Sequence, residues 1–138
     1  MKYAWCLLSL IILSGCVPYP VYKTLQPSSG VMVVDTAEDP IEGAEVNLIA
    51  SSYPYGYEKS RNSVKTDADG KANFQSLREW RTEAIMLHGA EIFFWNWCVS
   101  KEGYETYLSN NTDSREFDSK AYIILNRGKS NACPEQLR

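Results

Sequence analysis

Four cysteines, Cys6, Cys16, Cys98 and Cys133, and a single histidine, His88, are the side chains of this 138-residue chain best suited to act as nucleophile, base or metal ligand. No two cysteines stand close together and one imidazole cannot complete a tetrahedral set, so the usual zinc ligands are missing. His88 would serve as a general base only if the fold brought it to a nucleophile or to carboxylates such as Glu83 or Glu91, and no motif pairs it with either. The run Asp67-Ala68-Asp69-Gly70 opens like a calcium loop. Position twelve of that loop is Arg78, where a bidentate Glu is required, so the run is read as a β-turn. Recognition is better represented than reaction. Tyr53, Tyr55 and Tyr57 could stack on sugar rings or on a protein partner, or fold back over their own domain. Trp95 and Trp97 are either interface anchors or core. No catalytic residue, metal or cofactor is assigned. With 14 basic against 17 acidic residues and a formal charge of −3, the chain lacks the basic face that nucleic acid demands and any polybasic membrane patch.

Lys2, the apolar run Leu7-Leu8-Ser9-Leu10-Ile11-Ile12 and the small residues Ser14 and Gly15 form the charge, apolar core and cleavage pattern of an export signal. The run is too short for a membrane span, and Pro18 and Pro20 stop its extension. Leu13-Ser14-Gly15-Cys16 resembles the lipobox of bacterial lipoprotein signal peptides. That resemblance implies removal of residues 1–15, a diacylglycerol thioether on Cys16 and acylation of its new amino group. Val17 in the following position implies sorting to the outer membrane, facing the periplasm. An ordinary secretory signal or an uncleaved anchor are the alternatives, and both also place the body of the chain outside the cytoplasm. The remaining thiols, Cys98 and Cys133, are then expected to pair in an oxidising compartment, the alternative being two separate thiols.

The elements that position these residues read as short strands. Residues 16–29, rich in Pro, Tyr and Ser, are expected to be a lipidated tether, and 30–138 a single domain. Strand patterns run over Gly30–Asp35, Ala44–Ala50, Ser63–Thr66, Lys71–Phe74, Ile92–Val99, Tyr104–Leu108 and Ala121–Leu125, with turns at Asp39–Gly43 and Asp67–Gly70. Ser76-Leu77-Arg78-Glu79 fits a capping box, so a short helix is expected near 76–84. Both faces of Ile92–Val99 are largely apolar, which requires either cover on two sides or an exposed partner surface. The expected class is all-β, an antiparallel sandwich of about seven strands.

Gly30–Asp35, Pro40–Leu48, Thr66–Phe74 and Cys98–Tyr104, in that order, resemble the carboxypeptidase regulatory-like domain family. The resemblance implies a transthyretin-like or Ig-like sandwich and a noncatalytic module. The expected function is thus a lipid-anchored binding or assembly module of the cell envelope, held to the membrane through Cys16 and meeting an envelope protein or glycan partner. An inhibitor or immunity lipoprotein against an envelope-acting toxin or lysozyme is one alternative, and an enzyme acting on peptidoglycan or peptides is another.

Overall fold

The computed structural model describes residues 18–84 and 90–135. Among them nine strands form, β1 (Pro18–Gln26), β2 (Ser29–Asp35), β3 (Glu45–Tyr53), β4 (Tyr57–Lys65), β5 (Lys71–Phe74), β6 (Leu77–Ala84), β7 (Ile92–Ser100), β8 (Tyr107–Leu108) and β9 (Lys120–Leu125), with one 3-10 turn at Ser114–Glu116. The all-β class stands. The strands make a four-stranded sheet ordered β4-β3-β7-β8, a three-stranded sheet ordered β5-β2-β9 and a two-stranded ribbon, β1-β6.

The two larger sheets close on one core because β2, β3, β5, β7 and β9 each carry an apolar set at every second residue. Val46, Leu48 and Ala50 of β3 and Phe93, Trp95, Trp97 and Val99 of β7 meet Val31 and Val33 of β2, Ala72 and Phe74 of β5, and Ala121, Ile123 and Leu125 of β9. Trp97, 2 % exposed, lies with its ring 5.4 Å from that of Phe74 and 5.2 Å from that of Phe117. Each buried indole finds a carbonyl: Trp97 Nε1 donates to Asp118 O at 3.0 Å and Trp95 Nε1 to Leu25 O at 2.8 Å. Trp95 and Trp97 are therefore core, and the interface role weighed for them is corrected, because their rings fill the sandwich and their N–H groups are satisfied there.

The other face of β7 is covered too. Asn96 accepts from Ser109 Oγ at 2.9 Å and from the Asn111 backbone N–H at 2.6 Å, which lays the loop after β8 over the sheet. Cys98 is joined to Cys133 by a disulfide with 6.0 Å between Cα atoms, and Arg61 donates to Pro134 O at 2.7 Å, so the C-terminal tail covers Cys98, while Tyr53 lies on Phe94 and Ile92 at the start of the strand stays exposed. The apolar pattern on both faces of β7 thus marks a central strand with two covers rather than a naked surface.

Three expectations are corrected. The helix expected near 76–84 is strand β6, paired antiparallel with β1 from Pro18↔Ala84 to Gln26↔Leu77. Glu79, Arg81 and Glu83 alternate with Trp80 and Thr82, a period-two pattern that suits pairing and outweighs the capping-box signal. Much of the expected tether is β1 itself; Pro18 and Pro20 are tolerated because β1 has a partner on one side only. The sandwich is also not wholly antiparallel, since β2 and β9 run parallel from Gly30↔Lys120 to Asp35↔Leu125. Parallel pairing needs a long crossover, and the chain from β3 through β8 supplies it.

Candidate functional site

At the tip of the β3-β4 hairpin, Tyr53, Tyr55 and Tyr57 are 41 %, 61 % and 59 % exposed. Tyr53 turns back on the domain, its ring 5.2 Å from Phe94. Tyr55 and Tyr57 stack at 6.0 Å with planes 12° apart. Ile92, the register partner of Tyr53, adds an exposed aliphatic side chain at the same end of the sheet. The loop expected over residues 53–57 is shorter than that, since Tyr53 closes β3 and Tyr57 opens β4, and the structure gathers Tyr55 and Tyr57 into a surface platform.

Beneath the tip lies a cluster of charges centred on Glu91. Its carboxylate accepts from Ser52 Oγ at 2.8 Å and from Arg81 Nη1 at 2.9 Å, with Lys59 Nζ 3.4 Å away. Lys23 donates to the Glu91 carbonyl and pairs with Glu83, and Tyr19 OH donates to Glu83 at 3.4 Å. Partial burial pushes the Glu91 carboxyl up, but hydrogen bonds from Ser52 and Lys59 and the charges of Lys59 and Arg81 outweigh it and hold the group below its ordinary value. This network joins β1, β3, β4, β6 and the start of β7 at one end of the sandwich. Glu83 and Glu91, the carboxylates that the enzyme alternative would need, are both engaged by cations here. His88, like Cys16, lies outside the described residues.

Asp67 and Asp69 build a turn. Asp67 Oδ1 accepts from the backbone N–H groups of Asp69 at 3.0 Å and Lys71 at 2.8 Å, which commits that carboxylate to the chain itself. Gly70 is required there: its φ is +73°, and a Cβ would lie 2.4 Å from Val33 O. Among the described residues no group of three or more His, Cys, Asp or Glu side chains is placed to hold a metal.

A second aromatic surface escaped sequence reasoning. Tyr22 of β1 and Trp80 of β6 are register partners with ring centroids 5.2 Å apart, 54 % and 70 % exposed. Beside them Tyr22, Thr24, Pro27, Leu77 and Arg78 line an open groove of about 750 Å³. The available signal was the alternation of β6, visible only once its pairing with β1 is known. No family model, curated protein or solved structure matches this chain.

Proposed function

We propose that this protein is a noncatalytic binding module of the bacterial cell envelope, anchored in the outer membrane by lipid on Cys16 and facing the periplasm. The observation that carries the binding role is the Tyr22–Trp80 pair. A Trp as open as this one, packed at a tilt against a cross-strand Tyr and bordered by a groove, is an uncommon arrangement for a surface with no partner, since such rings are normally buried. Trp and Tyr are also the residues in which interfaces concentrate their affinity. The occupant proposed is an envelope protein that covers the ribbon.

The anchor rests on the resemblance of Leu13-Ser14-Gly15-Cys16 to a lipobox, and the carboxypeptidase regulatory-like pattern supports a noncatalytic module. Chemical crosslinking in intact envelopes tests the reading, comparing the natural protein with a Tyr22→Ala, Trp80→Ala variant. Both side chains are exposed, so the variant keeps its fold. Loss of about 2 kcal/mol or more at such a hot spot lowers affinity about 30-fold, and a specific set of crosslinked proteins disappears. Identical crosslinks from both proteins would overturn the role of the ribbon, and an unmodified Cys16 in the mass of the N-terminal peptide would overturn the anchor.

A further inference from the structure

We infer that the end of the sandwich carrying Tyr55, Tyr57 and Ile92 lies against the lipid headgroup layer, so that the protein docks on its membrane in one fixed orientation. The inference rests on the proposed lipid at Cys16 and specifies what that lipid does to the folded body.

Chain length is the first support. Strand β1 begins at Pro18, and two residues reach at most about 7 Å, so a lipid on Cys16 leaves the start of β1 close to the membrane. Direction is the second. Leu25 O meets Trp95, and Lys23 meets the Glu91 carbonyl, so going back along β1 toward its start moves toward and then past the beginning of β7. That is the end where Ile92 pairs with Tyr53 and where the β3-β4 hairpin turns. From Lys23 to Pro18 is five residues, about 17 Å of strand, whereas β3 ends at Tyr53, one residue past Ser52, where the hairpin turns back through a Gly56 N–H bond to Ser52 O. Pro18 and the hairpin tip therefore lie at the same end of the sandwich, with β1 reaching further. With Cys16 held at the acyl boundary, that end of the sandwich is the one turned toward the headgroups.

Chemistry is the third support. Tyrosine has an apolar ring and a polar hydroxyl, which suits it to the boundary between headgroups and water. Tyr55 and Tyr57 present two stacked rings there, and Ile92 an aliphatic side chain. Lys59, its side chain 42 % exposed, adds an ammonium at the same end, 3.4 Å from Glu91.

Hydroxyl-radical footprinting of the lipidated full chain in vesicles of phosphatidylethanolamine and phosphatidylglycerol reads this out directly. Tyr55, Tyr57 and Tyr122 are 61 %, 59 % and 52 % exposed, so without membrane contact the three label alike. Tyr122 lies on β9 of the other sheet and serves as the internal reference. The expected result is oxidation of Tyr55 and Tyr57 reduced several-fold relative to Tyr122. Equal oxidation of all three on vesicles, with the N-terminal peptide carrying its acyl groups, overturns the orientation and leaves the anchor standing. An unacylated N-terminal peptide overturns both. Protection of Tyr55 and Tyr57 by soluble peptidoglycan fragments, with none from vesicles, assigns the tip to glycan and also overturns the inference.

Discussion

Asp113 shows how much a single exposed residue can organise. Its carboxylate accepts from the Arg115 side chain through Nε at 3.0 Å and Nη2 at 2.8 Å and from the Arg115 backbone N–H at 2.8 Å, while Glu116 reaches back to the Asp113 N–H at 3.2 Å. Side-chain and then backbone hydrogen bonds from Arg115 lower the Asp113 carboxyl from 3.8 to about 2. Because the folded value lies below the ordinary one, the capping contribution is present in full above pH 3.8 and fades as the pH falls toward about 2. An NMR titration of the Asp113 carboxyl carbon is expected to show a midpoint near 2, raised toward the ordinary 3.8 in Arg115→Ala, which loses the guanidinium but keeps the backbone N–H. A wild-type midpoint near 4 would remove the reading. The cysteine pair acts on a larger loop. Cys98 and Cys133 are separated by 35 positions, and closing such a loop in the unfolded chain is worth roughly 3–4 kcal/mol by the entropy model. A Cys98→Ser, Cys133→Ser protein is expected to lose about that much in urea unfolding. A loss under about 1 kcal/mol would show that hydrogen bonds such as Arg61 to Pro134 O hold the tail unaided.

At the scale of elements, the β1-β6 ribbon is tied to the sandwich through Glu91, with Arg81 stacked 5.7 Å over the Phe93 ring. Glu91→Ala removes the acceptor of Ser52 Oγ, a hydroxyl in a residue only 2 % exposed, and takes one carboxylate from Lys59 and from Arg81, which keeps Glu79. An orphaned buried donor costs about 1–3 kcal/mol, and that is the expected loss at pH 7 by denaturant unfolding. The Glu91 carboxyl is held below 4.5, so its contribution is present above that pH and is lost as the pH falls through its folded value. The wild type and Glu91→Ala should therefore converge in stability on acidification; a constant gap would contradict the assignment. The same elements explain what could be read from the chain. β2, β3, β5, β7 and β9 were legible because each buries its own alternating set, as Ala121, Ile123 and Leu125 do, and the turn at Asp67–Gly70 because its residues carry the turn chemistry themselves. β1, β6 and the first half of β4 were not, for a physical reason. They are edge or ribbon strands with few buried apolar residues, and their pairing is decided by distant partners such as Tyr22 and Trp80. The hairpin tyrosines were visible as a candidate surface, whereas the ribbon surface exists only after β1 meets β6.

For the whole molecule, charge and shape make different demands on how it stays at a membrane. The formal charge is −3, and the cations at the hairpin end are largely paired with Glu83 and Glu91. No helix among the described residues is long and apolar enough to cross a bilayer. An attachment made by acyl chains draws about 0.8 kcal/mol from each buried CH₂, a term that ions in solution leave nearly unchanged, and aromatic rings at the headgroup level behave likewise. An attachment made by basic residues would behave otherwise, because it weakens as the Debye length shrinks from about 30 Å at 0.01 M salt to about 3 Å at 1 M. The vesicle-bound fraction of the lipidated protein is therefore expected to stay constant across that salt range in a cosedimentation assay, even with anionic phosphatidylglycerol present. A several-fold release by salt would mean that Lys59 and its neighbours carry the attachment instead. The lipid and the aromatic tip would then be secondary to a local positive field that the net charge conceals.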